Sequence, residues 1–405
     1  MAQARGAAQR LLLQKETSFR TVGAPAAKLM PFTEWGVARQ PNRQENNTID
    51  ASPLPAKRDT GDPTSAGPFK TILDLRSCGN WLQLALGVPT VGKAVTTQPV
   101  NVTGVTVHHA SSDCTSGNGT LTWAIAGTTL GWTPASGTIG TLVNVGAGGD
   151  FTLLGGGGGK SILVTVVAAL LPAGNQNDAT IAVHATLKAH IFPVDNTIRP
   201  SALAEMQNPD VTKYFRWDGF KVNKLAWDIL SNDQDLSGES IVGAEVDPVP
   251  TATFDGAPTS YSYARACSAK GKVWDGSAAT IGDIAGATWS LDNQMVGVPL
   301  AEGLEGYGLI DQGDLLLSGN LNCVFDGAAA WALARANTST RMRMESACIV
   351  GADTFKLVFD IPNVELDEAA PARTGKSGLY VPITWRAHRG TYLPKIYLVN
   401  DVAAF

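Results

Sequence analysis

Residues 354 to 361 read TFKLVFDI. Phe355, Leu357, Phe359 and Ile361 fall on every second position, with Lys356, Val358 and Asp360 between them. Side chains alternate sides along a strand, so a period of two predicts a β-strand with one apolar face. The pattern recurs around it. RMRMES, Arg341 to Ser346, alternates Met342 and Met344 with Arg341, Arg343 and Glu345. FKVNKLAWDIL, Phe220 to Leu230, has apolar residues at Phe220 and Val222, then at Leu225, Trp227 and Ile229. The change of phase at Asn223-Lys224 predicts a β-bulge. Helical signals are fewer: CGNWLQLALG closed by Gly87, the Ala-rich GAAAWALARAN over 327–337, and a short helix expected at the N-terminus. The chain is expected to be mainly antiparallel sheet with short flanking helices.

Texture divides the sequence into three regions. In the first, 1 to about 93, the stretch from Ala38 to Gly67 is polar, proline-rich and of mixed charge, without apolar periodicity. It reads as a long structureless loop, and such loops in compact domains are functional or disordered. In the second, 94–187, the only charged residues are Asp113, Asp150, Lys160 and Asp178. Its strand-like pieces, among them VNVTGVTVHH, GTLTWAIAG, SILVTVVAALL and ATIAVHATL, are separated by Gly, Ser, Asn and Pro. Short strands spaced by turns predict a small β-sandwich inserted into a host domain. The third region, 188–405, returns to ordinary charge density and completes the host.

Composition excludes several classes. Net charge is −5, so no general basic field draws the chain to nucleic acid or acidic membrane. The longest apolar run, Ile162 to Leu171, is broken by Thr165 and is far short of the ~18–20 residues of a membrane-spanning helix. Leu11 to Leu13 is too short an apolar run for a signal peptide, which predicts cytoplasmic synthesis. The five cysteines form no Cys-x-x-Cys, and free thiols are expected.

Motifs that could carry chemistry fail on spacing. GGGGGKS, Gly155 to Ser161, ends like a phosphate-binding loop, yet the position five residues before its Gly-Lys-Ser core that requires glycine holds Leu154. The β-branched ILVTVV follows where a helix is needed, so the stretch reads as a hairpin tip. DQDLSGESIVGAEV begins like a calcium loop, but Ala244 stands where the closing acid belongs, and a turn between strands is expected. His108 and His109 are adjacent and would point to opposite faces, and His184 and His190 lie six apart. No Gly-x-Ser-x-Gly elbow occurs. No catalytic residue, metal or cofactor is therefore assigned.

The host segments, taken in order, resemble a known family. KETSFRTVGAPA, LMPFTEW, the polar loop and GPFKTILDLRSCGNWLQLALG resemble the N-terminal half of siphophage-type major tail tube proteins. HIFPVDNTIRPSALAEM, TKYFRWDGFKVNKLAWDI, ATWSLDNQMVGV, GNLNCVFDG, FKLVFDIPNVELDE and LYVPITWRAHRG continue the series. The module at 94–187 lies outside that pattern and resembles the immunoglobulin-like decorations of some tail proteins.

The resemblance implies a tail-tube β-sandwich or rolled barrel with a short flanking helix. Six copies would form a ring, and the rings would stack into a tube in the virion tail that conducts DNA to the host cell. Partners implied are the chain itself, a tape measure protein in the lumen, and tail terminator and distal tail proteins. Loop 38–67 would be the inter-ring arm, with Arg39, Arg43, Glu45, Lys57, Arg58 and Asp59 as its contact charges. An acidic wall repels phosphate, and Asp228, Glu245, Asp292 and Asp360 are the candidates for it. Two other readings stay open: a surface adhesin or carbohydrate-binding protein using Trp123 and Trp132, and a glycoside hydrolase, for which no carboxylate pair stands out.

Overall fold

The computed structural model describes residues 5–45, 57–96, 183–195, 197–229, 234–246, 251–275, 284–300, 305–324, 332, 334–336, 339–351, 353–367, 380–390 and 393–405, with six short strands between 108 and 181. The described chain is mainly β, with one α-helix, Cys78–Leu86 (α1). One antiparallel sheet runs from Thr64–Ile72 through Asp235–Val242, the second half of Lys213–Asp228, Ile284–Asp292 and Leu316–Val324 to Tyr380–Ala387. Burial alternates along these strands. Leu225, Trp227, Trp289, Leu291, Leu321, Ile383 and Trp385 form the inner face.

Two long strands carry the chain into further layers. Asp353–Asp367 pairs with Tyr380–Ala387 through its last residues, with Thr340–Val350 from Asp353 to Val364, and with Lys395–Asn400 through its first half. Lys213–Asp228 pairs with Ala202–Asn208 through its first half, and that strand pairs with Arg10–Lys15. The expected bulge is present: Val222 faces Ser240 and Lys224 faces Glu239, leaving Asn223 as the extra residue. All layers close on one core, where Trp35, Phe69, Trp81 and Phe220 pack ring against ring at 4.5–6.3 Å.

Every residue of α1 is buried, so its ends need protein partners for their free backbone groups. At the N-terminal end the Asp74 carboxylate accepts from the Ser77 amide (3.0 Å), the Ser77 hydroxyl (2.5 Å) and the Ala264 amide (2.6 Å). At the other end the Arg199 guanidinium donates to the Leu86 carbonyl (2.6 Å) and Asn293 Nδ2 to the Ala85 carbonyl (3.0 Å). Gly87 turns the chain away at φ 107°, as its residue type predicted.

Several expectations are corrected. The N-terminal helix is a single 3-10 turn, Gly6–Ala8, followed by the strand Arg10–Lys15. Leu11, Leu12 and Leu13 are all buried, because this strand lies between two neighbours and is covered on both faces. Asp235–Val242 is a strand where a turn was expected, and a side chain at Gly238 would strike the Phe69 ring. In Thr354–Ile361 the intervening Val358 and Asp360 are buried as well. Of the stretch 327–337, Ala332, Ala334 and Arg335 are helical, and the Ala336 amide donates to the Ala332 carbonyl.

Most of 94–187, including Trp123 and Trp132, lies outside the described residues. Thr90–Thr96 and Val183–Pro193, at its two ends, pair antiparallel. Gly149–Leu154 and Ser161–Val166 form an antiparallel pair, so the residues that follow Gly-Lys are a strand and not a helix.

Candidate functional site

The outward face of the sheet that starts at Thr64–Ile72 is a trough of about 510 Å³. Its floor is made of short side chains: Ala226, Ser237, Thr288, Ser290, Ser318, Asn320 and Thr384. They share one face because they stand opposite one another across the ladder: Ala226 with Ser237 and Ser290, Thr288 with Asn320, Asn320 with Thr384. The floor is tied laterally. The Thr384 hydroxyl donates to Asn320 Oδ1 (3.2 Å), and the Asn320 amide donates to Thr288 Oγ1 (3.1 Å). At Gly319 a Cβ would run into the Thr288 carbonyl and the Trp385 ring, so only glycine lets the strands lie this close.

The charges on this face are largely paired. Lys70 and Arg265 both reach Asp235, at 2.9 and 3.4 Å. Lys224 meets Glu239 at 3.0 Å, and that hydrogen bond, with Asp292 nearby, holds its ammonium above its usual pKa. Arg386 stands opposite Glu365. Among the described residues no cluster of His, Cys, Asp and Glu could hold a metal ion. His190 is buried in the core, its Nε2 2.9 Å from the Val402 carbonyl oxygen. What the trough offers chemically is a row of hydroxyls and amides, with each of these cations set beside an acid.

The four acidic candidates divide. Asp228 and Asp292 lie on this face, opposite Thr288 and Lys224. Glu245 belongs to a different strand, Ala244–Val246, opposite Trp217. Asp360 is corrected: it is 5% exposed and accepts two hydrogen bonds from Arg341, so its charge is neutralised inside the protein. Alternation marked position 360 as outward, but Arg341 and Lys395, from the two strands that flank it, enclose it. Burial lowers the Lys395 pKa, and Asp360 partly restores it.

The expectation that 38–67 is structureless is corrected for its described residues, a paired ribbon: Ala38–Gln40 pairs with Thr64–Ala66, and Arg43–Gln44 with Asp59–Thr60. Polar side chains hid the strands because Ala38–Gln40 and Arg43–Gln44 are exposed at every position and need no apolar period. Glu45 and Arg58 form an ion pair at 2.6 Å, and Arg43, Lys57 and Asp59 are exposed. At the root, Arg39 lies between Glu245 (3.9 Å) and Glu305 (3.5 Å). Burial raises the Glu245 carboxyl pKa, Arg39 opposes the rise, and Glu305 adds to it. Arg20 completes the root by pairing with Asp218 (3.0 Å) and donating to the Glu305 and Tyr307 carbonyls. Sequence reading placed Arg39 and Glu245 on separate features; the fold brings them together. It missed the trough floor, whose signal was the Ser318, Asn320, Asn322 alternation in Leu316–Val324.

No helix among the described residues is long and apolar enough to cross a membrane. Comparison with curated proteins gives no match. A family model described as phage tail tube protein matches residues 6–387, and the chain, mainly β in its described residues, belongs to the phage tail tube protein family.

Proposed function

We propose that six copies of this chain close into a ring and that rings stack into the tail tube, with the trough face lining the channel that DNA passes through. The observation that carries the reading is the trough itself. A channel wall for DNA must be smooth and must hold no free cation, because phosphate binds any unneutralised Lys or Arg in a salt-dependent way. The trough has a floor of short polar side chains, with Lys70, Lys224 and Arg265 each held by an acid. Asp228 and Asp292 add negative charge to the same face, which repels phosphate. Ring closure also covers sheet edges that would otherwise expose unpaired backbone groups.

In this reading the ribbon around residues 38–66 is the contact between successive rings. The segment 94–187 is an outer immunoglobulin-like domain inserted into the tube domain formed by 1–93 and 188–405. The adjacency of Thr90–Thr96 and Val183–Pro193 supports that division, since the chain leaves and returns on neighbouring strands. A tape measure protein in the channel, and terminator and distal tail proteins at the ends, are the partners that follow. Negative-stain electron microscopy of the purified protein tests the reading: six-fold rings or hollow tubes are expected. A protein that stays monomeric at every concentration, and with tail-assembly partners present, overturns it.

A further inference from the structure

Nine large apolar side chains are exposed among the described residues, and five of them fall at the two ends of α1. Val88, Ile198 and Val296 are 51%, 82% and 63% exposed, and all three gather at the C-terminal end of α1. Val88 follows the Gly87 that closes the helix. Ile198 precedes the buried Arg199, which caps the Leu86 carbonyl and also donates to the backbone carbonyls of Asp195 and Thr197. Val296 lies three residues past Asn293, which caps the Ala85 carbonyl. It pairs with Asp311, and the adjoining Gln312 accepts from the Arg199 amide. Ile198 is thus a fully presented apolar knob on a loop fixed from below by a buried guanidinium. A loop held this way loses little freedom on binding.

A second, different patch lies at the N-terminal end of the same helix. Tyr263 is 69% and Ile349 58% exposed. Tyr263 sits between Ser262, which accepts from Arg76, and Ala264, whose amide donates to Asp74. Ile349 follows Cys348, which stands opposite the Phe355 ring that Arg76 covers at 5.0 Å. Charge is distributed in the same sense. Asp195 and Asp311 border the first patch, and the guanidiniums of Arg76 and Arg265, held by Asp401 and Asp235, border the second.

We propose that these two patches are the two halves of one head-to-tail contact between copies of this chain, the Ile198 end of one copy docking on the Tyr263–Ile349 end of the next. The two patches differ in side chains and in bordering charge and lie at opposite ends of one buried helix, which suits docking of one end on the other in successive copies, the heterologous kind of contact that generates rings and stacks. The inference rests on the self-assembly reading above and names its residues.

The test uses the full chain carrying Ile198→Asp or Tyr263→Asp, each at an exposed position that the fold does not need. Melting curves matching the wild type confirm folding. Wild-type protein assembled in the same assay checks the self-assembly reading separately. Each variant alone should need about tenfold or more higher concentration to assemble. Each variant retains one good patch, so an equimolar mixture should form heterodimers that stop there, visible by native mass spectrometry. Wild-type-like assembly of both variants, or a mixture with no heterodimer, overturns the proposal.

Discussion

Arg341 holds Asp360 through two parallel hydrogen bonds, Nε to Oδ1 at 2.7 Å and Nη2 to Oδ2 at 2.6 Å, and both side chains are under a tenth exposed. Removing one partner of such a pair leaves the other charge buried without its match. Asp360→Ala should therefore destabilise the fold by about 3–5 kcal/mol. The double change Arg341→Met, Asp360→Leu should cost clearly less. Urea denaturation of the three proteins checks this, and a cost for Asp360→Ala below about 1 kcal/mol would show that the pair is solvated.

The ribbon gives a second prediction. Cutting at residues 43 and 60 removes the outer strands and leaves the Ala38–Gln40 pairing with Thr64–Ala66 intact. The monomer should melt within a few degrees of the intact chain, because every described residue removed lies outside the core. Rings should form and fail to stack, as read by electron microscopy. Tubes of normal length would remove the ribbon from the inter-ring contact.

At the root of the ribbon, Arg39→Ala should change stability by no more than about 1 kcal/mol, since its pairs with Glu245 and Glu305 are partly exposed. Its effect belongs on stacking: tube length should fall and should become less sensitive to salt. Equal tube length and salt response in both proteins would count against a clamp.

His190 sets an acid dependence. Burial lowers its pKa from 6.5, and the bond to the Val402 carbonyl only partly opposes this. Between the lowered value and 6.5 the unfolded chain binds more protons, so stability is lost as pH falls below 6.5. Glu16 and Asp218, raised chiefly by burial, contribute the opposite sign. The test is therefore a difference: His190→Gln, which keeps a donor for Val402, should lose less stability than the wild type between pH 7 and pH 5. Parallel pH profiles would sink the assignment.

The trough gives the last. Asn320→Lys places a cation on its floor, where the neighbours Thr288 and Thr384 carry no charge. Assembled protein carrying the change should retain short duplex DNA at low salt and release it at high salt, while the wild type retains none. Equal retention by both proteins would remove this face from the channel.

The sequence by itself determined what is local. The period of two around Thr354–Ile361, the bulge at Asn223, the helix closed by Gly87 and the failure of GGGGGKS as a phosphate loop all depend on neighbours along the chain. So do the ordered host segments, which were enough to point to the family. Tertiary structure alone decided which outward positions are truly outward. Asp228, Asp292 and Asp360 obey the same alternation, yet the first two lie on the open face of their sheet, Asp228 in the trough itself, and the third is sealed by Arg341. It also decided that the polar stretch after Ala38 pairs with itself, and that Arg39 meets Glu245. Alternation fixes on which side of a strand a residue lies; whether that side meets solvent depends on what packs over it, and that is set by residues on other strands, from Arg341 beside Asp360 to Glu245 beside Arg39.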